Sequence, residues 1–168
     1  EPIIAPELEA VIRERLSISL SPSLVAELVL NARDYLELDN YRMALIEART
    51  CVEVLIDRLL IGYFQHKELS IDEIKGILEV KQDVRCDTMS DVLQSARINT
   101  KLKKGLKETV GQSLAEDNGL WERWLKLKTS RENAVHSAAL ISEIDAIDGV
   151  NTLMDIIDFV KKHKMVVE

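Results

Sequence analysis

The chain predicts an all-α fold, a helical bundle of five to seven helices with no sheet. Three observations carry this expectation. Apolar residues recur every three or four positions through most of the sequence, the period of a helix with one face in a core. Only three prolines and six glycines interrupt 168 residues, too few for the many turns of a sheet protein. A hydrophobic fraction of 46% beside 30% charged residues describes a globular chain long enough to bury a sizeable core.

Taken in order, Pro6-Glu7 opens a short helix to about Leu16, with proline in a first turn, where its missing N–H costs nothing. Residues 1–20 read as an N-terminal arm or short helix and 21–168 as the bundle domain. After the polar break Ser17–Ser21, Pro22 begins a helix through Leu38, closed by Asp39-Asn40. Tyr41 to about Phe64 is the longest helix, with a stripe of Ala44, Ala48, Val52, Leu55 and Leu59 and with Arg42, Arg49 and Glu53 away from it. Further apolar residues off the stripe place this helix centrally in a bundle or against another subunit.

Ser70-x-x-Glu73 is a capping box that starts a short helix to about Val80. Gln82–Met89 is irregular, and a helix from about Ser90 runs to Lys107 or beyond. Asn118 caps the next helix, whose stripe Leu120, Trp124, Leu127, Arg131 and Ala134 includes an arginine. The pattern breaks over Ser137–Ile141. Ser142-x-x-Asp145 then caps a last helix with the stripe Ile144, Ile147, Val150, Met154, Ile157 and Val160. Trp121 and Trp124 read as core or interface anchors, and His66 and His163 as surface residues near helix ends.

No run of 18 apolar residues exists, so no membrane span is expected, and Glu1–Ala5 lacks the basic-then-apolar pattern of a secretory leader. Glu1 in place of an initiator methionine is what an excised fragment would show. Cys51 and Cys86 lie far apart in no ligand-like spacing, so reduced thiols and a cytoplasmic location are expected. A net charge of −7 argues against strong non-specific nucleic-acid binding. Between Arg97 and Arg131, however, nine basic residues face four acidic ones, so this segment carries +5 and the remainder −12. Lys101, Lys103, Lys104, Lys107 and Lys128 are its candidates for contacting an RNA backbone, although no aromatic interleaving supplies base stacking and a solvated face explains them as well.

Thr129–His136 holds the one constellation that points to chemistry. Arg131 and His136 are the residue types a metal-free phosphoryl-transfer site uses: an acid–base imidazole and a guanidinium that binds a phosphate. The structural alternative is a buried arginine paired with a carboxylate and an ordinary helix-end histidine. Five residues apart on a straight helix, the two side chains diverge by about 140°. They fit opposite walls of a cleft, or an encounter with their copies across a symmetric interface.

The order of these features resembles the HEPN family of small helical domains over about Leu24 to Lys162. Tyr41–Ala48 continuing to Val52–Leu55 resembles the family's early helix, and Arg131-Glu132-Asn133-Ala134-Val135-His136 resembles its Arg-x4-His motif. The resemblance implies a bundle of HEPN type and a metal-independent endoribonuclease of a toxin, defence or RNA-processing system. It implies Arg131 and His136 as the catalytic residues and Asn133 as a polar support, without cofactor or metal. It also implies a homodimer whose cleft brings the motifs together, RNA as substrate, and a cognate antitoxin or a fused domain as partner. Its second implication is a non-catalytic HEPN-like dimerisation or protein-interaction module. Two departures stand out: Glu132 follows the arginine where the family often has Asn, Asp or His, and Ala138 stands where one toxin branch has tyrosine.

Overall fold

The computed structural model describes residues 23–136 and 140–164. Among them every regular element is helical, as the apolar periodicity predicts. The expected arm over 1–20 lies outside the described residues. Helix α1 (Leu24–Glu37) is started by Ser23, whose side chain accepts the Ala26 amide. It ends where Asp39 takes a left-handed φ of 56° and the Asn40 amide returns to the Tyr35 carbonyl at 2.8 Å. Asn40 does more than end a helix. Its side chain caps α2 (Tyr41–His66) by accepting the Met43 amide, so one short turn reverses the chain.

The core row of α2 is Ala44, Ala48, Val52, Ile56, Leu60 and Phe64, all fully buried, with Leu45 and Cys51 on either side. Leu55 and Leu59, expected on the stripe, are half-buried; the fully buried row steps by four instead, which carries it about 40° further around the helix at each step. Arg49 also departs from expectation. It is buried, and Glu53 one turn on holds its guanidinium at 2.8 Å. Burial on several sides follows from position: α1 covers one face, and two later helices, α6 (Asn118–His136) and α7 (Glu143–Lys164), cover others.

Ion pairs show how those two run. Arg123 meets Asp155 and Lys126 meets Asp148, so α6 and α7 are antiparallel. Beneath them Gly149 lies against Leu45 and Leu127, which locks α2, α6 and α7 at a single point. A Cβ at Gly149 would lie 2.3 Å from Leu45 Cδ2 and 3.1 Å from Leu127 Cδ1, so glycine is what permits the approach. Helices α1, α2, α6 and α7 therefore make the bundle, and the chain between α2 and α6 closes its other end.

That excursion begins with α3 (Ile71–Ile77), whose capping box forms as the Ser70-x-x-Glu73 spacing predicts. The single helix expected from Ser90 is instead broken. Thr88 and Asp91 form their own capping box on α4 (Met89–Ser95), and the backbone turns extended at Ala96 and Arg97. Helix α5 (98–110) follows, with a π-helical turn over Lys101–Gly105 in its middle. In that wide turn the Leu106 amide donates to the Lys101 carbonyl, Gly105 sits beneath Leu60, and Lys101 turns inward onto Asp57 at 2.7 Å.

Asp117, not Asn118, caps α6: its Oδ1 accepts the Leu120 amide at 3.0 Å, and its carbonyl accepts the Trp121 amide. The short 3₁₀ turn Leu114–Glu116 sets that earlier start. Trp124 is fully buried, its indole N–H donated to Asn99 at 3.0 Å. In α7 the Ser142–Asp145 cap forms as expected. The buried face is Ala146, Gly149, Val150, Leu153, Ile156, Ile157 and Val160, whereas Ile144 and Ile147 of the expected stripe are exposed. Placing Gly149 in the three-helix contact rotates those two isoleucines outward. His163 is half-buried, with Nδ1 2.8 Å from the Phe159 carbonyl, and His66 is exposed in the last turn of α2. No helix among the described residues is long and apolar enough to cross a membrane.

Candidate functional site

Helix α6 presents two rows to different surroundings. Its inner row is Leu120, Trp124, Leu127 and Ala134, all buried, with Arg131 continuing the row between Leu127 and Ala134. Arg131 is half-buried and its Nε is sealed from solvent with no hydrogen-bond partner among the described residues. Arginine fits such a place by laying its aliphatic stem along the core and carrying the guanidinium to the edge. The second row is Lys128, Glu132 and His136, each four residues from the last and so stacked on one side of the helix. His136 is exposed in the final turn of α6. On ideal geometry about 7.5 Å of rise and 140° of rotation separate Arg131 from His136. One copy of the helix does not aim both side chains at a common point.

The lysines marked by composition meet acids from elsewhere in the chain. Lys101 is buried on Asp57 at 2.7 Å, and Lys104 is paired with Glu79. Lys107 lies 2.9 Å from Glu116, whose hydrogen bond raises the lysine's pKa and lowers the glutamate's. Lys128 lies 3.5 Å from Glu132, and Lys103 stands over the Trp121 ring with its ammonium 4.8 Å from the centroid. On the outer side of α6, Lys126 bridges Asp148 at 2.8 Å and Asp145 at 3.1 Å, and these contacts raise its pKa. Asp57, Glu79, Asp145, Asp148 and Asp155 all lie outside the stretch whose sequence charge is +5, and folding brings them onto it. The count therefore does not become a basic surface along those lysines.

Of the four lysines and arginines on α6, Arg123, Lys126 and Lys128 each have a carboxylate, and Arg131 has none among the described residues. Glu132 is held by Lys128, so its charge is countered one turn away from His136. Asn133 is exposed and has a partner of its own. At the same end of the bundle Tyr41 donates its hydroxyl to Asp39 at 2.8 Å. That hydrogen bond, then desolvation and the charges of Asp39 and Glu143, pushes the phenol up to about 12. The phenol is thus a neutral hydrogen-bonding group near neutrality, and its spacing to Asp39 was the only sequence sign of it. Around the α6–α7 connection Val135, Leu140, Ile144 and Ile147 are exposed apolar side chains, Leu140 completely so.

Neither cysteine is disulfide-bonded. Burial, reinforced by Glu47, pushes the Cys51 thiol up to about 11, and its Sγ lies 3.5 Å from the Val25 carbonyl. It packs as a small apolar group and is no thiolate nucleophile. No family model, curated protein or solved structure matches the chain.

Proposed function

We propose that the chain is a HEPN-like, metal-independent endoribonuclease acting as a homodimer, with Arg131 and His136 as its catalytic residues. The observation that carries this reading is Arg131. A half-buried guanidinium whose Nε has no partner among the described residues is costly to keep, while every neighbouring cation on the helix has its acid. A counter-anion from outside the chain, an RNA phosphate, would satisfy it. His136, exposed one turn beyond the Lys128–Glu132 pair, is open to solvent and substrate.

In this reaction the 2′-oxygen of the RNA attacks the adjacent phosphorus, an O2′–P bond forms and the P–O5′ bond breaks. One imidazole takes the 2′-hydroxyl proton, the imidazole of the second copy or a water supplies one to the departing O5′, and Arg131 stabilises the charge that builds on the phosphoryl oxygens. The divergence of the two side chains within one helix fits a cleft built by two copies. The exposed apolar side chains around the α6–α7 connection suit such an association, and they also suit a non-catalytic dimerisation module, the second reading.

The deciding experiment is cleavage of RNA in the presence of a chelator by wild type and by His136→Ala. Cleavage by the wild type alone is expected. Equal cleavage by both contradicts the role given to His136, and cleavage by neither leaves the non-catalytic module.

A further inference from the structure

An unassigned groove lies at the opposite, α3–α5 end of the molecule. There the turn after α3 and the α4–α5 junction enclose a groove of about 380 Å³. Its floor is Leu78, Val80 and Val84, the first two buried, and its rim carries Lys81, Arg97, Ser95 and Thr100, with Glu79. Among the described residues Lys81 and Arg97 form no ion pair. Glu79, the only acid on the lining among the described residues, is taken by Lys104. The groove is therefore electropositive on a protein of net charge −7.

A third cation sits behind the wall. Lys75 is buried, only 5% exposed, and its ammonium is met by no carboxylate among the described residues. It donates instead to the carbonyls of Val84 at 2.9 Å and Gln82 at 3.2 Å. Those two bonds, with the Val84 amide returned to the Lys81 carbonyl at 3.1 Å, hold the turn that carries Lys81 and half of the floor. Burying an ammonium without a counter-charge is expensive. Here it both braces the wall and adds positive potential beneath it, where the low dielectric of the interior screens it least.

We propose that this groove binds a small organic phosphate, its short aliphatic body on Leu78, Val80 and Val84. The phosphate lies between Lys81 and Arg97, within reach of the Ser95 and Thr100 hydroxyls. An arginine fork, an ammonium and hydroxyl donors are the groups that grip a phosphate, and the apolar floor adds what inorganic phosphate cannot use. Among the described residues no aromatic ring lines the groove, so a stacked nucleobase is not the body it fits. The site is independent of Arg131 and His136, and its fate does not follow theirs.

The test is a titration of the full chain with butyl phosphate, inorganic phosphate and butanol, followed by amide chemical shifts. Butyl phosphate should give saturable shifts confined to residues 78–84 and 95–100 and bind at least about tenfold more tightly than either of the others. Lys81→Glu combined with Arg97→Glu should weaken it by about tenfold or more. Arg33→Glu with Arg42→Glu, the same charge change at exposed positions on α1 and α2, should leave it unaltered. Both double variants are checked for native helicity first. Shifts spread over surface cations, equal affinity for butyl phosphate and inorganic phosphate, or equal weakening by the two double variants would overturn the proposal.

Discussion

The Lys128 ammonium lies 3.5 Å from the Glu132 carboxylate, one turn along α6 and one turn short of His136. In the sequence Glu132 stands as a lone acid beside an arginine, where it would repel a phosphate. In the fold it is half of a pair. Neutralising Glu132 therefore frees a cation. Glu132→Gln is expected to raise RNA cleavage by about two- to fivefold, the scale of an exposed charge pair, and Lys128→Ala to lower it comparably. Both effects should shrink as salt is raised in kcat/KM measurements.

Gly149 makes a second expectation, about stability. In Gly149→Ala the new methyl meets Leu45 and Leu127, both tightly packed, so a loss of about 1–3 kcal/mol is expected by urea unfolding. Gly62 is the control, since nothing lies within 4 Å of a Cβ there and the site is exposed within α2. Gly62→Ala should stabilise by roughly 0.5–1 kcal/mol through helix propensity.

The two capping boxes and the Ser142 cap predict an acid limb. Hydrogen bonds from Ser70, Thr88 and Ser142 hold Glu73, Asp91 and Asp145 below their ordinary values of 4.5, 3.8 and 3.8, with Lys126 assisting at Asp145. A carboxylate whose pKa is lower folded than unfolded adds stability that is complete above the unfolded value and is lost as pH falls through the folded one. Urea midpoints should hold near pH 6 and drop as pH falls below about 4.5. Ser142→Ala should cost roughly 1 kcal/mol at pH 6. The gap to wild type should narrow by pH 3, and a constant gap would show that Asp145 does not titrate through this cap.

The Ser70 and Ser142 caps were legible beforehand because such a cap is written in residues three apart, whereas the Thr88–Asp91 cap begins in chain that reads as irregular. The multi-sided apolarity of Tyr41–His66 likewise announced a central helix. What the sequence did not disclose depends on partners far away in the chain. Asp57 reaches Lys101 across 44 residues, and Asp155 reaches Arg123 across 32. A stretch that counts as +5 is neutralised by acids it does not contain. Arg97 and Lys81 look no different in the sequence from the lysines that became paired. Ile144 and Ile147 fit a helical stripe on paper, but the contact of Gly149 with Leu45 and Leu127 fixes the rotation of α7 and turns them outward.

The central claim concerns Arg131 and His136 acting on the 2′-hydroxyl of RNA. Its most direct measurement is product analysis by mass spectrometry in chelator, using an oligoribonucleotide and its copy carrying a single 2′-deoxy residue at the cleaved step. Wild type should leave 2′,3′-cyclic phosphate and 5′-hydroxyl ends on the first and not cut the second at that step. Arg131→Ala and His136→Ala should each lose at least about a hundredfold in rate. No cleavage by wild type, cleavage that ignores the missing 2′-hydroxyl, or cleavage that persists in either variant would contradict it.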